Sequence, residues 1–118
     1  MKVNFKYTYT LRPGYGSEEL LIELNGKDKP NQLQEDLFLI LLQNGFNQGK
    51  TEDIWQNNEW CFYFHSKNGT IILSRDTVWD LFFLIGENKN QADILRLAWL
   101  LSENPLFEKI TVDYSDYK

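Results

Sequence analysis

The chain has 118 residues, a formal net charge of -5, 42% hydrophobic residues and 25% charged residues, so we expect one globular domain over residues 1–118. The 12 basic residues are scattered and outnumbered by 17 acidic ones, which argues against direct nucleic-acid binding. One Cys and one His are too few for an internal disulfide or a zinc site.

The sequence also predicts the cellular location of the protein. No apolar run reaches the ~18 residues that cross a bilayer, and the N-terminus lacks the apolar segment of a secretory signal. We therefore expect a cytoplasmic monomer with no membrane partner, no metal and no cofactor.

Polar–apolar alternation predicts a strand over residues 3–11 and a second over residues 18–25, joined as a hairpin by a loop containing Pro13 and two glycines. Helical spacing of apolar residues predicts a helix over residues 31–44, with Asn31 as its N-cap and Gly45 ending it. Residues 46–58 are polar and interrupted by glycine, and we interpret them as a loop or a short irregular strand.

Alternation returns over residues 59–66, and Asn68-Gly69 predicts a type I′ hairpin turn before a strand that resumes at Ile71. Residues 77–85 fit either a strand or a helix. Their Val, Trp, Ile and two Phe favour a strand, with Trp79 on one of its faces. Such a strand would be apolar on both faces except at Asp80, which suggests that the strand lies in the middle of the sheet. An acid in that position needs a partner, so we expect Asp80 to pair with Arg75 or Arg96.

Residues 90–103 predict a second helix, with Asp93 and Arg96 paired on its outer side, and residues 107–114 predict a last strand. The predicted order is ββαβββαβ. Two amphipathic helices and a mainly antiparallel sheet bury their apolar faces best when both helices lie on one face. The predicted fold class is α+β, a two-layer sandwich.

Few residues suit catalysis. Cys61 and His65 lie four residues apart on one predicted strand, about 13 Å by the rise per residue, so they cannot act as nucleophile and base. The acids Glu52 with Asp53, and Asp113 with Asp116, could support a carboxylate-dependent reaction. A solvated acidic face explains them better, and we expect that the protein is not an enzyme.

Aromatic residues beside acids are typical of protein interfaces. Trp55 follows Glu52 and Asp53 in a predicted loop, and Tyr117 follows Asp113 and Asp116 near the C-terminus. These six residues are the predicted protein-binding site.

The second half contains Trp60-x-Phe62, then Gly69-Thr70-Ile71-Ile72-Leu73-Ser74-x-Asp76, Leu84-Ile85-Gly86 and Leu100-Leu101-x-x-Asn104-Pro105-x-Phe107. Over residues 59–118 this pattern resembles bacterial immunity proteins of contact-dependent growth inhibition and other polymorphic toxin systems. The resemblance implies a cytoplasmic inhibitor that masks the C-terminal domain of one cognate toxin, often a nuclease. It carries over no binding residue by position.

The leading hypothesis is therefore a toxin-neutralising immunity protein, which the acidic balance suits because nuclease clefts are basic. The alternative is a small-ligand-binding or regulatory module with a pocket between sheet and helices. A carboxylate-dependent enzyme ranks third.

Overall fold

The computed structural model describes residues 5–117. The two helices are α1 (Pro30–Gln43) and α2 (Gln91–Ser102). The strands in chain order are β1 (Tyr7–Pro13), β2 (Leu20–Asn25), β3 (Asn47–Ile54), β4 (Glu59–Ser66), β5 (Gly69–Asp76), β6 (Leu81–Gly86) and β7 (Phe107–Lys109).

All seven strands belong to one sheet, in the order β3-β4-β5-β6-β2-β1-β7. Every neighbouring pair is antiparallel except β1 with β7, which is parallel. The parallel pair arises because the chain crosses over through α2 before it returns as β7. The predicted α+β class with a mainly antiparallel sheet and two helices is confirmed.

The core lies between the two helices and one face of the sheet. Each helix contributes three buried apolar residues, spaced one helical turn apart: Leu33, Leu37 and Leu41 from α1, and Ile94, Leu97 and Leu101 from α2. They pack with alternate sheet residues, including Tyr7, Tyr9, Ile22, Leu24, Phe62, Phe64, Ile71, Leu73, Phe82 and Leu84. The opposite face of the sheet carries the other residue of each alternation.

The order of elements is one strand longer than the sequence predicts. Residues interpreted as a loop or irregular strand form β3, an eight-residue edge strand that pairs with β4. The register shifts between Gln48 and Thr51, which is a β-bulge at Gly49-Lys50. An edge strand exposed on both faces needs no apolar alternation, so its sequence looks like that of a loop.

The hairpin at β4–β5 is confirmed, but the predicted turn is wrong. Ser66 pairs with Gly69, so the two turn residues are Lys67 and Asn68, and neither has a positive φ. Gly69 instead takes φ 138° as the first residue of β5. A type I′ turn at Asn68-Gly69 would give both residues a positive φ, and only the glycine has one.

Residues 77–85 are divided between a turn and a strand. Thr77–Asp80 is a turn, and β6 starts at Leu81 in the middle of the seven-stranded sheet. The expected pairing of Asp80 with Arg75 is confirmed at 3.1 Å. The strand interpretation is therefore correct from Leu81 onward and wrong for Trp79.

Helix ends differ from prediction in their capping residues. Pro30 begins α1, so Asn31 is a first-turn residue and its side chain accepts a hydrogen bond from Arg75 at 3.0 Å. Gly45 has φ 88° and ends α1 as predicted. Asn90 caps α2, and its side chain accepts from the amide of Asp93.

Two further predictions need correction. Asp93 pairs with Arg96 at 3.6 Å, but Asp93 is fully buried and not on the outer side of α2. The last strand is short, because the chain leaves β7 at Lys109 and ends in a 3-10 turn, Tyr114–Tyr117. Residues 3–4 of the predicted first strand lie outside the described residues.

Candidate protein-binding surface

Two turns meet at one end of the sheet. Glu59 and Asp76 are paired residues of β4 and β5, so the turn before Glu59 and the turn after Asp76 are neighbours. The amide and hydroxyl of Thr77 both donate to the carbonyl of Asn58, at 2.9 and 3.0 Å. The hydrogen bonds fix the two turns relative to each other.

The second turn directs two large apolar side chains into solvent. The Asp76 carboxylate accepts from the amides of Val78 and Trp79, at 2.8 and 3.1 Å. Asp80 closes the turn with φ 53°, a conformation that Asp tolerates better than most residues. Val78 is 59% exposed and Trp79 is 76% exposed.

The first turn displays Trp55, which is 70% exposed. We call Trp55, Val78 and Trp79 the tryptophan end. Large exposed apolar side chains grouped in one place mark interaction sites more often than isolated ones do. Rigid turns also lower the ordering cost of binding, because the side chains are held close to a binding geometry beforehand.

Carboxylates surround the tryptophan end. Asp53, Glu59 and Asp76 lie on the strands that lead into the two turns, and within residues 5–117 none of the three forms an ion pair. Glu59 accepts from the Ser74 hydroxyl at 2.5 Å, which keeps its carboxylate in place. The uncompensated charge gives this end a negative potential that attracts basic surfaces.

Half of the predicted site lies here. Glu52 and Asp53 are on β3, and Trp55 follows that strand directly. Hydrogen bonding to the Tyr63 hydroxyl, and then the charge of Lys50 at 3.5 Å, lower the pKa of Glu52, so this residue stays ionised. The same hydrogen bond raises the pKa of Tyr63 to about 12.

The other half lies elsewhere. Tyr117 is half-buried, with its ring 4.6 Å from the Arg12 guanidinium and 4.9 Å from the Tyr15 ring. Because β1, which carries Arg12, is five strand spacings from β3, the two halves are about 24 Å apart across the sheet. The structure does not bring the six predicted residues together.

The two C-terminal acids are exposed but differ in their local contacts. Asp113 accepts from the amide and hydroxyl of Ser115, at 2.9 and 2.8 Å, and these bonds lower its pKa. Asp116 lies within the closing 3-10 turn. Asp113 therefore organises its own turn, in addition to any contact with a partner.

The sequence analysis missed Val78 and Trp79. Their β-favouring side chains resemble those of a buried strand, and we placed Trp79 on a strand face for that reason. The signal that could have identified them is the pair of aspartates at positions 76 and 80, because Asp accepts hydrogen bonds from the amides of a turn.

At least four surface depressions within residues 5–117 have volumes of about 300 Å³ or more, and two of them adjoin residues of the predicted site or the tryptophan end. One of about 620 Å³ is lined by Pro13, Gly16, Ser17, Glu18, Leu20, Tyr114 and Tyr117, between the β1–β2 loop and the C-terminal turn. One of about 300 Å³ adjoins the tryptophan end and includes Asn58, Glu59, Asp76 and Phe83. Small-molecule sites usually have volumes of about 300–1,000 Å³.

Cys61 and His65 lie four residues apart on β4. Both point toward the face of the sheet that the helices do not cover. Burial, and then the nearby charge of Glu59, raise the pKa of the Cys61 thiol to about 11, so it is protonated at neutral pH. The His65 ring lies 2.9 Å from the Thr70 hydroxyl and closes over Gly49. Across residues 5–117, no three His, Cys, Asp or Glu side chains are grouped so as to hold a metal ion.

Comparison with known proteins identifies no relative: no family model, curated protein or solved structure matches the chain. Neither α1 nor α2, the helices within residues 5–117, combines the length and apolarity needed to cross a membrane.

Proposed function

We propose that this protein is a cytoplasmic immunity protein, which binds the C-terminal domain of a cognate toxin and masks its active site. The observation that carries the proposal is the tryptophan end, where Trp55, Val78 and Trp79 are exposed on two turns bonded to each other. The carboxylates beside them form no ion pair within residues 5–117. Exposed Trp surrounded by charge is a common composition for an interface centre.

The chemistry of this surface favours a basic partner. A nuclease binds phosphate through clustered Lys and Arg, so its cleft has a positive potential. Carboxylates at positions 53, 59 and 76 would steer that cleft toward the protein, and the indole rings would then exclude water from the contact. The resemblance to immunity proteins over residues 59–118 suggests the same class of partner, and it assigns no role to individual residues.

The proposal predicts that Trp55→Ala with Trp79→Ala weakens binding to the cognate toxin domain, for which toxin C-terminal domains encoded near this gene would be the candidates to test. Truncating a central interface Trp costs about 2 kcal/mol or more, so each change should weaken the affinity about 30-fold. Titration calorimetry measures the affinity, and inhibition of nucleic-acid cleavage by the toxin domain provides a second readout.

Trp99→Ala is the matched control, because Trp99 is also an exposed tryptophan but lies on α2. We expect its affinity for the toxin domain to equal that of the unmodified protein. Equal losses for Trp99→Ala and for the Trp55/Trp79 variant would show that the tryptophan end is not the contact surface. No binding to any adjacent toxin domain would contradict the function itself.

A second candidate, a small-ligand module, is favoured by the depression of about 620 Å³ beside Tyr114 and Tyr117. It lies between a loop and the C-terminal turn. A smaller depression of about 370 Å³, lined by Gln34 of α1 and by Trp60, Phe62 and Arg75 of the sheet, lies between sheet and helix as the sequence analysis expected. A molecule retained through purification and lost in Tyr117→Ala, as seen by native mass spectrometry, would favour this candidate.

A further inference from the structure

The face of the sheet that the helices do not cover, which we call the open face, carries its side chains in cross-strand rows. Rows on one face are two residues apart along each strand, about 7 Å. The row beside the tryptophan end contains Glu59 and Asp76, which are paired residues of β4 and β5. The next row contains Cys61 and Ser74, also paired, whose side chains are small and buried. Short side chains beside longer ones leave a depression in the surface of the sheet.

This depression has a volume of about 300 Å³ and two kinds of lining. The acids Glu59 and Asp76 line it from β4 and β5, and the apolar residues Phe83 and Ile85 line it from β6. Phe83 is the register partner of Ser74, so its ring lies beside the buried serine. An apolar surface with carboxylates at one side suits an occupant that has an apolar stem and a charged head.

The two carboxylates are each held in place through one oxygen. Asp76 Oδ1 accepts from the amides of Val78 and Trp79, and Glu59 Oε2 accepts from the hydroxyl of Ser74 at 2.5 Å. The other two oxygens, Asp76 Oδ2 and Glu59 Oε1, form no ion pair within residues 5–117. Both acids are therefore ordered before a partner arrives, and their charges are not neutralised.

The pairing of these two acids is unfavourable in the protein alone. Residues directly opposite each other on neighbouring antiparallel strands have Cβ atoms about 5 Å apart, and like charges there destabilise the sheet. The Lys and Arg residues of β3 to β6 are paired elsewhere: Lys50 bonds Glu52 at 3.5 Å, and Arg75 bonds Asp80 at 3.1 Å. A positive charge from outside the chain would relieve the repulsion.

We propose that the depression takes a lysine or arginine side chain of the partner, with its charge between Glu59 and Asp76 and its aliphatic stem against Phe83. This inference rests on the proposed function and names the side chain that is recognised, because a nuclease cleft is rich in both residue types. A second copy of this chain brings a net charge of -5 to the same acids and is repelled. The neighbouring indole rings would exclude water from the ion pair.

Titration calorimetry of the cognate toxin domain with the double variant Glu59→Gln/Asp76→Asn tests the proposal. The amide side chains keep an acceptor oxygen for Ser74 and for the turn amides, so the variant should unfold no earlier than the unmodified protein. Its affinity should fall about 30-fold or more, because the basic side chain loses both charged partners. Added salt should weaken the binding of the unmodified protein more than that of the variant.

The matched control Glu103→Gln/Glu108→Gln removes two charges from exposed acids at the end of α2 and on β7. It should bind the toxin domain as tightly as the unmodified protein. The single variant Glu59→Gln leaves the turn at Asp76 unchanged and should lose about tenfold in affinity, which covers the case in which the double variant does not fold. Equal losses in the control and the double variant, or full affinity in both Glu59 variants, would overturn the proposal.

A blocked tri-arginine peptide tests the depression without the toxin. In amide NMR spectra it should shift the resonances of Ser74, Asp76 and Ile85, and blocked tri-glutamine should not. The absence of these shifts would overturn the proposal, and the same shifts on raising the protein concentration alone would assign the depression to a second copy instead. Toxin binding that the Glu59 variants leave unchanged would count against the depression alone. Shifts with tri-arginine but no binding of any toxin domain would count against the proposed function alone.

Discussion

Asp93 is fully buried at the start of α2, where burial alone would favour its neutral form. Hydrogen bonds from Ser66, Asn90 and Asn68, at 2.6, 2.9 and 3.1 Å, and the charge of Arg96 outweigh that effect and lower its pKa. The ionised carboxylate thus joins the β4–β5 turn to the cap of α2. Asp93 is therefore one of the side chains that connect the sheet to the helix layer.

Asp93→Asn should destabilise the fold by about 3 kcal/mol at neutral pH, because the amide replaces one of two acceptor oxygens with a donor. The folded pKa of Asp93 lies below the unfolded value, so its stabilisation is complete above about pH 4 and declines as the pH falls through the folded pKa. Urea denaturation at neutral and at acidic pH should therefore show a difference between the two proteins that shrinks in acid.

Asp116→Asn serves as the control, since Asp116 is exposed in the closing turn. Its free energy of unfolding should change by less than about 0.5 kcal/mol. A similar loss in both variants, or a constant difference down to strongly acidic pH, would contradict the role assigned to Asp93.

Strand β6 ends where the cap of α2 begins, and the contact leaves no room for a side chain. A Cβ at Gly86 would collide with the carbonyl oxygen of Asn90 and lie 2.9 Å from its carbonyl carbon. The clashing atoms of Asn90 belong to the backbone, so they cannot rotate out of the way as a flexible side chain can. Gly86 therefore sets the spacing between β6 and α2.

Gly86→Ala should cost about 1–3 kcal/mol, the usual cost of overpacking. The matched control is Gly14→Ala, where the nearest atom would be Ser17 Cβ at 3.7 Å, an ordinary contact. Thermal unfolding of the two variants compares them directly. If Gly86→Ala unfolds at the same temperature as the control, the contact between β6 and the Asn90 cap is looser than described.

The elements differ in how far their sequences reveal them. The apolar stripes through Leu33 and Ile94 predict both helices, because each stripe faces the core and follows the helical period. β3 is exposed along most of its length, so its partner β4 determines its strand conformation. The turn at Val78 has side chains typical of a strand, and only the hydrogen bonds of Asp76 define it.

The same limits apply to the candidate site. Acids beside Trp55 are visible in the sequence, and the structure places them together at one end of β3. The contribution of Trp79 depends on hydrogen bonds between two turns about twenty residues apart in the chain, which local patterns do not encode. Asp113 and Asp116 have the same local pattern as Glu52 and Asp53, yet they lie at the opposite side of the sheet.

At the scale of the whole molecule, one end of the sheet combines exposed apolar side chains with carboxylates. Trp55, Val78 and Trp79 are exposed on turns that follow strands carrying Asp53 and Asp76. Electrostatic complementarity determines which partners bind more than it raises the affinity of binding. If the proposed function is correct, this combination should select a basic partner over an acidic one.

All four tryptophans have substantial exposure, from 38% for Trp60 to 76% for Trp79, so the core consists of Tyr, Phe and aliphatic residues. Trp55, Trp79 and Trp99 are between 61% and 76% exposed, so these three indole groups meet water in the native state much as they do in the unfolded chain, whereas Trp60 is partly covered by Phe62. The wavelength of intrinsic fluorescence emission should therefore change little in denaturant while far-ultraviolet circular dichroism is lost. Association that covers an indole should instead shift the emission to the blue, which makes the native fluorescence of this protein a reporter of contact and a poor reporter of folding.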